Sequence, residues 1–151
     1  MIGYAISAAI FAAVLTSLNY KFLKSRYSFP ALYFQAFLFM SVGFMIISLS
    51  YVYWQIVTGL VISGFGMGLI LTSGNFWIQE IAPDRFKDSM IAIATIVSFF
   101  GQFISPVFIE PIIRETSVAS SFYLVAVTML VFGIIIILSY RIFLFFRRLF
   151  M

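Results

Sequence analysis

The sequence predicts an all-α, polytopic membrane protein with five transmembrane helices. Apolar residues make up 64% of the 151-residue chain and charged residues only 9%, whereas an ordinary soluble domain carries about 25% charge. The apolar residues form long runs, and about 20 such residues are needed to cross the hydrocarbon core of a bilayer. Nearly every charge lies in the short segments between these runs, so the bilayer is the solvent that fits the chain.

Each run is expected to be a helix, because an open sheet edge in lipid would leave backbone groups unpaired. Within a single domain of residues 1–151, the predicted spans cover residues of about 2–20, 30–50, 53–79, 89–109 and 120–140. Pro30 suits the first turn of the second span, and the third span is long enough to tilt or protrude. Five spans place the two ends of the chain on opposite sides of the membrane.

The basic residues predict the orientation of these spans. A signal peptide needs positive charge before its apolar stretch, and no charge precedes the first span here. We therefore expect a retained helix with an outside N-terminus. The segments after spans one, three and five then face the cytoplasm, as the positive-inside rule demands, and only Arg114 falls outside. The expected location is the cell inner (cytoplasmic) membrane, with a cytoplasmic C-terminus. The eight cytoplasmic cations are Lys21, Lys24, Arg26, Arg85, Lys87, Arg141, Arg147 and Arg148.

The third span is rich in glycine, which in a membrane helix lets another helix approach closely. Gly64 and Gly68 form a GxxxG pair. Simple tight packing accounts for this pattern, and a helix that slides against its neighbours would use the same residues. Counting the fourth span as well, the expected packing positions are Gly59, Gly64, Gly66, Gly68, Gly101 and Pro106.

A charged segment follows the third span. Glu80 lies where that span leaves the membrane, and Pro83 is expected to stop the helix. The segment fits a solvated loop whose ion pairs are each worth about 0–1 kcal/mol. It also fits a cytoplasmic latch, in which Glu80 bonds to a basic residue of this loop or of the first loop. The latch candidates are Glu80, Arg85, Lys21 and Arg26, with Lys24 as a further basic residue of the first loop.

The fourth span carries polar groups at membrane depth around Pro106, which is expected to bend the helix. We interpret Ser98 and Ser105 as donors of interhelical hydrogen bonds. Gln102 fits the same role or a position on a substrate path, since polar side chains in a span usually face protein or a water-filled cavity.

The first, third and fourth spans hold most of the small and polar residues and are therefore the expected cavity-lining helices. The fifth span is uniformly apolar, and the second has Gln35 as its one strongly polar group, so both are expected to be peripheral and to face lipid. The substrate-cavity candidates are Asn75, Gln102, Phe65 and Phe99.

Several functions are disfavoured by composition. Histidine and cysteine are absent, which removes the usual general base, thiol chemistry and the commonest metal ligands. Neither paired carboxylates nor a catalytic Ser/His arrangement is visible, so we expect no enzyme, no cofactor and no metal. The net charge of +4 does not indicate nucleic-acid binding, because the basic residues lie in membrane-proximal loops.

The order of these features resembles a known family. A glycine-rich helix ends in Trp77, Glu80 and Pro83, a turn with Arg85 follows, and then come a helix with GQFISP (Gly101 to Pro106) and an apolar last helix with a basic tail. This order resembles the C-terminal half of major facilitator superfamily transporters, particularly bacterial efflux-type members. The five spans would correspond to helices eight to twelve of the family's twelve.

The resemblance implies roles for these spans. Helices eight, ten and eleven of the family border the central cavity, and nine and twelve are outer scaffolding. A family loop motif would fall at Ser17 to Arg26, but its acidic residue and glycine are missing here. Lys21, Lys24 and Arg26 remain as possible partners for Glu80.

We therefore expect part of a secondary active exporter of small organic molecules. It would work by alternating access with a missing N-terminal half or a separate complementary chain, and its partners would be the lipid bilayer and the substrate. The alternative is a standalone small membrane protein with a scaffolding or regulatory role, assembled through its glycine-rich helix.

Overall fold

The computed structural model describes the backbone of residues 2–150 and the side chains of residues 3–142. Met1, Met151 and the side chains of Arg147 and Arg148 lie outside the described part. Residues 2–150 contain helices and no strand, which confirms the predicted all-α class. The elements are α1 (Ile2–Leu18), α2 (Tyr20–Arg26), α3 (Phe29–Ser48), α4 (Tyr53–Ile81), a 3₁₀ helix (Asp84–Phe86), α5 (Lys87–Glu115) and α6 (Val118–Phe150).

The described helices account for four or five membrane crossings. Within residues 2–150, α3, α4, α5 and α6 are each long and apolar enough to span a bilayer. The helices α1 and α2 meet at a bend of 55° and make a fifth span if the bent pair crosses as one. The architecture is therefore that of a multi-pass membrane protein.

The bend between α1 and α2 lies at Asn19, where the backbone leaves the helical region with φ −90° and ψ 5°. The Leu15 carbonyl accepts two hydrogen bonds from Asn19, one of 3.3 Å from its backbone N–H and one of 2.9 Å from its side-chain amide. After the break, Tyr20 turns inward and is 2% exposed. The chain thus changes direction at the end of the run predicted as the first span.

The helix α4 packs tightly against α1 through its GxxxG pair. A Cβ atom on Gly64 would collide with the carbonyl oxygen of Ala9, and one on Gly68 would collide with that of Ala13. The second contact lies four residues after the first in both helices, so α1 and α4 run parallel. Here glycine is required because the backbone of α1 occupies the space of a side chain.

A second face of α4 packs against α3 at Gly59 and Gly66. A Cβ atom on Gly59 would lie 2.6 Å from the Gly43 carbonyl oxygen, and one on Gly66 would lie 2.5 Å from the Ala36 carbonyl oxygen. These contacts advance in opposite directions along the chain, so α3 and α4 are antiparallel. The glycine-rich helix therefore has close neighbours on two faces.

The second face of α3 packs against α6, where serine hydroxyls join the helices. Ser41 donates to the Ala126 carbonyl and Ser48 to the Ala119 carbonyl, both at 2.8 Å. In lipid, a hydroxyl that bonds to a neighbouring backbone adds about 0.6–2 kcal/mol to helix association. These bonds, together with packing of Phe37 on Phe132, fix α6 against α3.

The position of α3 corrects the expectation that the second span is peripheral. The helix packs between α4 and α6, and Leu32 and Ala36 are fully buried. The physical reason is size, because Ala36, Ser41 and Gly43 allow close approach on both faces. An apolar composition is equally compatible with lipid and with a protein neighbour, so composition alone misplaced this helix.

In contrast, α5 has no buried residue over its whole length. It continues through Pro106 and Pro111 and touches α4 and α6 only lightly. A Cβ atom on Gly101 would meet nothing within 4 Å, so no contact with a described residue requires glycine there. The packing expected at Gly101 and at the exposed Pro106 is not formed by the described residues.

These contacts predict that Gly68→Leu destabilises the bundle, since its side chain must displace the α1 backbone at Ala13. Overpacking of this kind costs about 1–3 kcal/mol. Thermal unfolding of the purified protein in mild detergent measures the effect. The matched control is Gly101→Leu, which adds the same side chain in open space and should leave the melting temperature unchanged. Equal melting temperatures for the two variants would contradict the close crossing.

Candidate functional site

A cavity of about 500 Å³ lies between α4 and α5, with one wall from α3. Three of the four cavity candidates line it, namely Asn75, Phe99 and Gln102. The fourth, Phe65, lies in a separate cavity of about 400 Å³ beside Phe39. The residues around the larger cavity are Tyr33, Ile70, Leu71, Gly74, Asn75, Ile78, Ala94, Thr95, Ser98, Phe99 and Gln102.

The polar groups of this cavity are uncharged, and the two amides are free to bind a solute. Neither Asn75 nor Gln102 forms a hydrogen bond with any other described residue. Each amide offers two donors and one acceptor oxygen. Because an amide in an apolar environment costs about 1–3 kcal/mol without a partner, both side chains favour water or a polar ligand beside them.

The Ser98 hydroxyl, predicted to form an interhelical hydrogen bond, bonds within α5 instead. Ser98 donates to the Ala94 carbonyl of its own helix, and Thr95 donates to the Ile91 carbonyl, both at 2.8 Å. Their protons are therefore engaged, and each hydroxyl presents its remaining lone pair. The cavity wall formed by α5 is an acceptor surface interrupted by the Gln102 amide.

Sequence reasoning missed Tyr33, which reaches the cavity from α3. Its hydroxyl lies 3.3 Å from the position of a Cβ atom on Gly74, so the glycine makes room for the phenol. A tyrosine near the start of an apolar span is ordinarily interpreted as an interfacial residue. The small residue opposite it in α4 becomes informative only after the register of α3 and α4 is known.

A second cluster lies at the charged end of the bundle. Lys24 of α2 donates to a Glu80 carboxylate oxygen of α4 at 2.7 Å, and the two side chains are 37% and 57% exposed. The Lys24 ammonium also lies 4.5 Å from the ring centroid of Phe29. The pair joins the helix after the Asn19 bend to the last turn of α4.

The other latch candidates do not pair with Glu80 in the described structure. Lys21 forms no ion pair among the described residues, Arg26 stacks over Phe22, and Arg85 lies 5.6 Å from the Phe86 ring centroid. Geometry selects Lys24 because one turn of α2 separates it from Tyr20, whose ring stacks on Phe76 of α4 at 5.0 Å.

In the described part of the chain, no three His, Cys, Asp or Glu residues cluster as the ligands of a metal ion would. The features that can interact with a solute are instead the free amides, the hydroxyl lone pairs and the aromatic ring of Phe99. This set suits binding through hydrogen bonds and ring contacts.

A multi-pass helical bundle with an uncharged polar cavity is the class that the fold and the site define. The model of the Major Facilitator Superfamily matches residues 1–146. The chain belongs to this superfamily, a family of membrane transporters. No curated protein and no solved structure matches the chain significantly.

The free amides predict that the cavity contains water. The chain has no cysteine, so Gln102→Cys introduces a single thiol into the cavity and Phe103→Cys introduces one on the neighbouring residue, which is 80% exposed outside it. In membranes, a water-soluble maleimide should label Cys at 102 at least tenfold faster, because the thiol must ionise in water to react. Equal labelling of the two positions would show that the cavity is not a distinct aqueous space.

Proposed function

We propose that this chain is the C-terminal part of a secondary active transporter that moves small organic molecules across the cytoplasmic membrane. The observation that carries the proposal is the cavity of about 500 Å³ with its two free amides, Asn75 and Gln102. Polar groups at membrane depth usually face a water-filled cavity or a substrate path. Their uncharged character favours a substrate bound by hydrogen bonds and by the Phe99 ring.

The exposed α5 supports a complementary bundle as the partner. This helix has no buried residue, yet it carries half of the cavity wall. In the proposed assembly, an N-terminal half or a separate complementary chain covers the cavity from the other side. Rocking of one bundle against the other would then expose the site to each side of the membrane in turn. The outward direction of transport rests on the resemblance to efflux-type members.

The same proposal includes an orientation with the N-terminus outside and the C-terminus in the cytoplasm. The Lys24–Glu80 contact joins α2 to the end of α4. The segment after the first span also carries Lys21 and Arg26, and the segment after α4 carries Arg85 and Lys87. The opposite end carries Arg114, which is paired with Glu110 at 2.6 Å. The more basic end is expected in the cytoplasm.

The DNA immediately upstream of the Met1 codon tests the transporter proposal. We expect an open reading frame there that encodes about seven further apolar spans, continuous or broken by one frameshift, since two six-helix halves are needed. An adjacent gene for a complementary bundle would support the separate-chain form. Unrelated or non-coding sequence would contradict the proposal of a transporter part.

A standalone membrane protein is the second candidate, and one observation favours it. The helices α1, α3, α4 and α6 pack against one another without any further chain. Such a protein should insert and assemble by itself, with a scaffolding or regulatory role. Two results would favour the standalone protein: a single stable species when the chain is expressed alone, and non-coding DNA upstream of the Met1 codon.

For the Lys24–Glu80 pair we propose the role of a reversible latch between α2 and α4. The side chains are partly exposed, so the pair contributes about 0.2–1 kcal/mol. A contribution of this size biases a two-state equilibrium modestly and lets it reverse. The bend at Asn19 is the point at which α2 could move relative to α1.

Hydrogen–deuterium exchange tests the latch. Glu80→Gln should speed amide exchange in α2 by up to about fivefold, the rate equivalent of a partly exposed ion pair. The control is Glu110→Gln, which breaks the pair with Arg114 inside a single helix and should leave α2 unchanged. Unchanged exchange of α2 in the Glu80→Gln variant would remove the latch from the proposal.

A further inference from the structure

We propose that a cleft at the charged end, bounded by α2, α3, α4 and α6, binds an anionic phospholipid of the surrounding bilayer. Two cavities of about 380 and 220 Å³ make up this cleft. They share Phe29, Pro30 and Trp77 as lining residues, so they lie side by side against the same walls. One end of the cleft is polar and the other is apolar.

The polar end is lined by Lys24, Tyr27, Ser28 and Tyr140. The Lys24 ammonium has three N–H donors, and the Glu80 carboxylate lies 2.7 Å from it as its one acidic partner. The hydroxyl of Ser28 has no hydrogen-bond partner among the described residues. A phosphodiester could therefore accept from Lys24 without the loss of the ion pair.

The charge balance around this end favours an anion. Arg26 and Arg141 are the chain neighbours of Tyr27 and Tyr140, which line the cleft. Neither arginine forms an ion pair with another described residue. Lys24 is the cation that lines the cleft, and the two arginines add positive charge near it without being part of its lining, which favours a phosphate group over a cation.

The apolar end continues between α3, α4 and α6, where Tyr33 and Ile136 join the shared residues. Trp77 packs against Phe29 with ring centroids 6.2 Å apart and against Tyr33 at 5.9 Å. Tryptophan and tyrosine favour the depth of the lipid headgroups. This apolar end fits the start of an acyl chain, which an inorganic phosphate or a soluble anion does not have.

Because the cleft is separate from the amides of the transport cavity, the inference does not rest on the proposed function. The two spaces have Tyr33 as their one common lining residue among the residues described. The proposed ligand is thus an anionic phosphodiester with an attached hydrocarbon chain, held at the membrane surface by Lys24.

Quenching of Trp77 by brominated lipid tests the site. The chain has two tryptophans, so Trp54→Phe leaves Trp77 as the only indole. The full chain is placed in phosphatidylcholine vesicles with a small, equal fraction of brominated phosphatidylglycerol or brominated phosphatidylcholine. We expect the anionic lipid to associate with Trp77 about fivefold more strongly, the ratio expected from one basic residue at an anionic surface.

Charge variants distinguish binding of the anionic lipid at the cleft from its general attraction to a basic protein surface. Lys24→Met combined with Glu80→Gln keeps the net charge of the chain and should abolish the preference, whereas Glu80→Gln alone should increase it. Lys21→Met removes a charge from the same helix outside the cleft and should leave the preference unchanged. Quenching by brominated phosphatidylcholine verifies in each variant that the bundle is folded and inserted.

Two results would overturn the inference. Equal losses for Lys21→Met and the Lys24/Glu80 double variant would show attraction to the whole surface and no site at the cleft. Recovery of Trp77 fluorescence on addition of soluble glycerol phosphate would show that the headgroup anion alone is bound, without use of the apolar end.

Discussion

The close approach of the α1 and α3 backbones to α4 is the constraint on which the rest of the bundle depends. Carbonyl oxygens of α1 and α3 occupy the positions that side chains would take at Gly64, Gly68 and Gly59. In lipid, no hydrophobic force drives helices together, so packing and interhelical hydrogen bonds must hold them. Glycine allows both, because it brings the helices to van der Waals contact along their length.

This arrangement determines where polar residues are exposed. With two faces of α4 covered by α1 and α3, the face that carries Gly74 and Asn75 remains for the cavity. Across the cavity, α5 presents Gln102 and Phe99 but buries none of its own residues. The same contacts that stabilise the bundle therefore leave one uncharged polar wall uncovered by the described helices.

The charged end shows a different balance of forces. Lys24 and Glu80 are partly exposed, so their attraction is screened and modest. The stronger fixation of α2 comes from Tyr20, which is 2% exposed and stacks on Phe76. The stacked Tyr20 ring sets the position of α2, and the ion pair of Lys24 with Glu80 adds a weaker contact to the same helix.

The sequence by itself determined the all-α membrane class, because backbone polar groups in hydrocarbon must be paired within each apolar span. The location of Asn75, Phe99 and Gln102 beside one cavity agrees with the sequence prediction, and their role as substrate-cavity residues stays a prediction. The sequence did not determine the neighbours of each helix. Composition does not distinguish lipid from protein, so α3 was expected at the periphery, and Phe65 was expected in the cavity. Tertiary structure decided these points, and the partner of Glu80, through the register of the α4 glycines, since register sets which side chains share a face.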